Sequence, residues 1–229
     1  MGALASAAQA GQPLSTRTTT LTQLFPPKEA ASLSATLPVD KPVKFRIWHS
    51  DAASPGVLVF VSPTESGEPP AGWLPVLEQA HLSWIAAVGF GNDKLSAQRV
   101  LAAMMALELI RQAGPLDPER TYIGGMSGGG RIASQMAPRF PQKFSGALYI
   151  VGADVWMPED ARLKQRASAN GYVFITGERD FNRREMKKAV ERYRASGFER
   201  TLLLDLPGLA HEYPRGEQLG VALGFLDAR

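Results

Sequence analysis

The sequence predicts an α/β fold, a mostly parallel sheet with helices on both faces, on three observations. Short apolar runs alternate with helix-length segments from about residue 43 to the end, the order of βαβ units. Several of those runs lack polar alternation, as strands buried on both faces do. The 229 residues, 45% hydrophobic and 21% charged, suffice for one large core and leave a second domain unneeded.

Residues 1–38 are rich in Ala, Ser, Thr and Pro, with Pro26-Pro27 as a break. They read as a flexible tail with room for an early edge strand, ahead of a folded domain at 39–229. Val43–His49 alternates and Val57–Ser62 is apolar throughout; Ser54-Pro55-Gly56 turns between them. Trp84–Phe90 is a third strand. Asn92 or Asp93 can cap a helix reaching Gln112, where Val100, Ala103, Met104, Leu107 and Ile110 recur at helical spacing until Gly114-Pro115 stops it. A strand through Tyr122 and Ile123 leads to a glycine-rich turn and a helix ending at Pro138. Phe144–Val151, Tyr172–Thr176 and Leu202–Leu206 are further strands. A polar helix spans 182–195, and a last helix carries Leu219, Ala222, Leu223 and Leu226 on one face.

Composition excludes several functions. Without cysteine there is no thiol nucleophile, disulfide or cysteine metal site. The net charge of +3 is concentrated only between Arg179 and Arg200, where acidic residues interrupt it; this is a solvated helix face, not a nucleic-acid patch. No apolar run reaches the roughly 18 residues of a membrane span, and the best, Val100–Ile110, contains Glu108. Ala8-Gln9-Ala10 has the small-x-small form of a signal-peptidase site without the basic and long apolar parts of a signal. It reads as an export remnant, for a periplasmic or secreted protein, or as an Ala-rich tail.

The chemistry centres on Gly125-Met126-Ser127-Gly128-Gly129, a G-x-S-x-G pattern between strand and helix. Such spacing holds a serine on a strained turn, with glycines leaving room for the close backbone approach. The helix that follows points its N–H groups at a developing oxyanion. A serine hydroxyl needs a base, and the base a carboxylate to fix its tautomer. Of the three histidines, His211 directly follows the last strand, on the side where open α/β sheets gather catalytic groups; His49 and His81 read as surface or packing residues. Asp180, after the Tyr172–Thr176 strand, is the expected acid, with Glu178 and Asp154 as rivals and helix capping as its other possible task. The order Ser127, Asp180, His211 is that of α/β-hydrolase triads. Gly128 supplies one expected oxyanion N–H. The second is expected from the loop after Val57–Val61, where Pro63 has none to give, leaving Thr64 first and Glu65 behind it.

Asp117-Pro118-Glu119-Arg120, a short strand and then Gly125–Gly129 resemble the esterases related to polyhydroxybutyrate depolymerases and feruloyl esterases. Asp180-Phe181-Asn182 and Gly208-Leu209-Ala210-His211-Glu212 are similar to the acid and base loops of that group. The resemblance runs from about residue 43 to the end. It implies the α/β-hydrolase fold and hydrolysis of a small-molecule or polymeric ester through an acyl-serine, without metal or organic cofactor. One departure stands out: Ser62-Pro63 replaces the His-Gly pair of the oxyanion loop. The short segment between Val151 and Tyr172 predicts no large lid. The same residues also admit a hydrolase-fold binding protein of little turnover, or an acyltransferase. A phosphate loop is disfavoured, because Arg131-Ile132 stand where its lysine and hydroxyl residue belong.

Overall fold

The computed structural model describes residues 13–228. The export-signal expectation at residues 3–10 lies outside them. Eight strands form one sheet in the order β1-β2-β4-β3-β5-β6-β7-β8. β1 (Ser15–Thr19) and β2 (Val43–Trp48) are antiparallel to each other, and β2 is antiparallel to β4 (Leu82–Ala87). From β4 onward, through β3 (Gly56–Val61), β5 (Thr121–Met126), β6 (Gly146–Ile150), β7 (Gly171–Gly177) and β8 (Thr201–Leu206), every pairing is parallel. β3, β5, β6 and β7 are buried along their whole length, which is why they read as apolar runs and not as alternating strands.

Two cores lie against the sheet. On one face α3 (Trp73–Gln79) and α8 (Gly216–Asp227) bury Trp73, Leu77, Leu219 and Leu223 against Trp84, Tyr122 and Val173. On the other, α4 (Ser96–Ala113), α5 (Gly128–Met136) and α7 (Arg183–Ala195) cover Val59, Ile123 and Phe174. α6 (Ala161–Ser168), absent from the sequence reading, is a short polar helix that buries only Ala167 and is capped by the Asp160 carboxylate on the Leu163 N–H at 2.8 Å. The segment Asp117–Arg120 has a structural task. Asp117 accepts from the Glu119 N–H at 2.9 Å, while Arg120 and Tyr122 both donate to Asp227 at 2.6 Å and tie β5 to the end of α8.

Two expectations need correction. Residues 15–37, read as a tail with room for an edge strand, form that edge strand, β1, but also α1 (Leu21–Leu24) and α2 (Pro27–Leu33), and bury Leu21, Leu24, Ala30 and Leu37. The cause lies in α4, which buries Leu101, Ala102, Ala103, Met105, Ala106, Leu107 and Ile110, more of its girth than one face supplies. A helix apolar on most of its girth must be covered on both sides, and α1 and α2 are the outer cover. Neither Asn92 nor Asp93 caps α4: Leu95 occupies the cap position without a side-chain bond, and the helix begins at Ser96.

Candidate active site

Ser127 sits between β5 and α5 with φ 54° and ψ −120°, a positive φ that a residue with a Cβ adopts only under strain. The surrounding backbone enforces it. A Cβ on Gly125 would lie 2.4 Å from the Gly129 carbonyl, and one on Gly129 would lie 1.9 Å from the Val61 carbonyl oxygen. Strand, turn and helix thus pack more tightly than any side chain allows, and the serine is turned outward. Its N–H is held by the Ile150 carbonyl at 2.8 Å. The N–H groups of Gly128 and its successors open α5, where a helix leaves its first donors free.

Ser127, His211 and Asp180 meet at the carboxyl ends of β5, β7 and β8. His211 Nε2 is 2.8 Å from Ser127 Oγ, and Nδ1 is 2.9 Å from Asp180 Oδ1. Asp180 can only accept, so Nδ1 carries the proton and Nε2 is left to accept from the serine hydroxyl. Asp180 is 5% exposed. Its burial is offset by two further donors: Thr176 Oγ1 reaches Oδ2 at 2.7 Å and the Asn182 N–H reaches Oδ1 at 3.0 Å. The Asn182 side chain in turn donates to the Val151 carbonyl at 2.8 Å, joining the acid loop to the end of β6. Phe181 stacks on the His211 ring, centroids 4.0 Å apart, yet is 76% exposed.

The rivals are engaged elsewhere. Asp154 accepts from Arg131 at 2.8 Å and from Gln135 at 2.7 Å, and Glu178 accepts from the Gly208 N–H at 3.1 Å. His81 lies in an exposed turn whose carbonyl accepts from Gly56 at the start of β3, the opposite end of the sheet. His49 follows β2, which runs antiparallel, so it too ends away from the site; burial, then Arg17, pull its pKa below the usual value.

The oxyanion loop differs from expectation in one respect. The Thr64 N–H donates to Ser62 Oγ at 3.1 Å, and the Thr64 and Ser62 hydroxyls are themselves 3.0 Å apart. Thr64 is therefore not a free donor in this structure, because a serine ahead of Pro63 closes a hydroxyl turn on it. The Asn92 side chain lies against Gly128, its Oδ1 2.3 Å from where a Cβ would stand. Thr176, Phe181 and Asn182 received no role of their own from the sequence, although Asp180-Phe181-Asn182 carried a resemblance to an acid loop. Their signal was adjacency: all three lie within four residues of Asp180.

Chains of this architecture are known. The structure is similar to a feruloyl esterase module from Clostridium thermocellum complexed with sinapinate, at 11% identity and a TM-score of 0.67 over 97% of this chain and 90% of that one. It is also similar to S-formylglutathione hydrolase from Staphylococcus aureus, at 12% identity and TM-score 0.63, over 95% and 98%. A third similar structure is that of the fluorophosphonate-binding serine hydrolase F of Staphylococcus aureus, at 13% identity and TM-score 0.62, over 94% and 99%. The fold is that of the α/β-hydrolases. No family model matches the sequence, and no curated protein does. Among the described residues, no helix of this α/β-hydrolase fold is long and apolar enough to cross a membrane.

Proposed function

We propose that the protein is a serine carboxylesterase acting on small or surface-accessible esters, with Ser127, His211 and Asp180 as its catalytic triad. The observation that carries the reading is the unbroken chain Ser127–His211–Asp180, at 2.8 and 2.9 Å, on a serine held at positive φ. In this reading Ser127 Oγ attacks the ester carbonyl carbon while its proton passes to His211 Nε2. The oxyanion forms beside the Gly128 N–H at the positive end of α5. As the tetrahedral intermediate collapses, the protonated imidazole gives its proton to the departing alkoxide, leaving an acyl-serine. Water then attacks the acyl carbon, again deprotonated by Nε2, and the acid leaves with Ser127 restored. Asp180 stays ionised and stabilises the imidazolium in both halves.

The openness of the site supports the substrate range. Residues 151–170, between β6 and β7, contribute only the short α6, and Phe181 beside the base is exposed to solvent. The engaged Thr64 amide favours a second reading, a hydrolase-fold binder of little turnover. A fluorophosphonate probe separates the two. The esterase reading expects covalent labelling at Ser127, located by peptide mass, and none in Ser127→Ala. Triad members act as a unit, so Ser127→Ala and His211→Ala should each lower kcat for a short-chain nitrophenyl ester by about 10⁴-fold or more. Hydrolysis near the wild-type rate in Ser127→Ala would sink the assignment.

A further inference from the structure

Arg99 stands behind the serine turn in surroundings that favour no cation. It is 5% exposed and lies in the first turn of α4, at the positive end of that helix. It shares a small void with Phe60, Val61, Ala87, Phe90, Ala102 and Ala103, with Ser62 as the other polar residue there. Among the described residues it makes no ion pair, and its Nε has no hydrogen-bond partner. Burial draws its pKa below the ordinary arginine value, and the Asp93 charge only opposes this from a distance. A buried cation without a carboxylate is a stability cost, so its retention calls for another account.

Its one side-chain hydrogen bond among the described residues gives that account. Nη2 donates to the Ser62 carbonyl at 3.0 Å, and the same nitrogen lies 3.5 Å from where a Cβ on Gly129 would stand. Ser62 is the hinge of the oxyanion loop: its hydroxyl takes the Thr64 amide and lies 3.0 Å from the Thr64 hydroxyl. Arg99 thus bonds to one wall of the place where the acyl oxygen would sit, the Ser62–Glu65 loop, and stands close behind the other, the N-terminus of α5.

We propose that Arg99 is a positioning residue for the oxyanion site, holding the Ser62 carbonyl so that the following amides face the acyl oxygen and placing a buried positive charge behind the first turn of α5. The inference rests on the serine-esterase reading. It requires that the charge act on the transition state and not on substrate binding, since negative charge at that oxygen grows only as the carbonyl is attacked.

The test measures kcat, KM, thermal midpoint and fluorophosphonate labelling rate in wild type, Arg99→Met and Arg99→Lys. Arg99→Met keeps the length and removes the charge. It should lower kcat and the labelling rate by about 10- to 100-fold, the scale of an ångström-sized misplacement of reacting groups. KM should stay within about threefold, because uniform binding is untouched. The midpoint should remain within about 4 °C of wild type or rise, since an unpaired buried charge has been removed. Arg99→Lys, which retains a cation able to reach the Ser62 carbonyl, should recover most of the rate. An Arg99→Met enzyme with wild-type kcat and labelling overturns the inference while leaving the triad in place. So does a loss carried by KM, or one that tracks a fall in midpoint in both variants, which would mark Arg99 as structural. Absence of labelling at Ser127 in wild type removes the esterase reading and this inference together.

Discussion

Thr64 is the residue at which the proposed chemistry is tested most sharply. Its N–H is bonded to Ser62 Oγ, so it can serve an oxyanion only if the acyl oxygen displaces that hydroxyl. The exchange trades a neutral acceptor for an anionic one, and charge-assisted bonds are the stronger. Thr64→Pro removes the donor and should lower kcat by about 10²- to 10³-fold, the usual loss for one oxyanion donor. Thr64→Ala keeps the amide and should cost far less. Ser62→Ala frees the amide beforehand and should leave kcat equal to or above wild type. If Ser62→Ala is instead as damaging as Thr64→Pro, the hydroxyl turn shapes the loop and the Glu65 amide becomes the donor. The Ser127, Asp180 and His211 positions were legible because each requirement was local: glycine spacing, a carboxylate just past a strand, a histidine just past the last strand. The engagement of Thr64 was not, because a hydroxyl's choice between neighbouring amides depends on loop geometry that no residue spacing encodes.

At the scale of elements, the parallel strands were legible because burial on both faces leaves continuous apolar runs. Of the N-terminal elements only room for an edge strand was legible, because β1 is polar at every residue and pairs at the edge of the sheet, and α1 and α2 were read as tail. Their signal lay elsewhere, in α4. Leu101, Met105 and Ala106 are buried in addition to the stripe set by Val100, Ala103, Met104 and Leu107, and a helix apolar on so much of its girth has to be covered on more than one side. The cover is also fastened by polar contacts: Gln112 donates to the Leu24 carbonyl and Gln98 to the Thr36 carbonyl, each at 3.4 Å. α1 is therefore an integral layer of the fold. Leu21→Ala, at a fully buried site, should destabilise the chain by about 2–5 kcal/mol in urea unfolding, as large-to-small core substitutions do. A loss indistinguishable from zero would restore the view of this segment as a tail.

Across the whole molecule, the site's parts are anchored in the core. Trp73 donates to the Pro214 carbonyl at 3.0 Å, and the Tyr213 ring lies 5.8 Å from Trp73 and 6.2 Å from Phe60. The loop that carries His211 is thus held at its far end by buried aromatic rings. The acid loop is tied to β6 through Asn182, and the serine turn is set by its glycines. With the hydrogen-bond chain already formed, the exposed Phe181, stacked on His211, stands beside Ser127. Enzymes that open a lid at a lipid surface gain rate sharply once substrate passes its solubility limit, because the surface supplies the free energy of opening; a site without that closed state has nothing to gain. Hydrolysis of tributyrin, followed by titration of released acid as substrate is raised through its solubility limit, should therefore saturate smoothly with no step at the limit. A step would show that some element does close over Ser127 in solution. Repeating the titration with Phe181→Ala would identify it: loss of the step would make that ring the gate, and its persistence would assign the closure to residues 151–170.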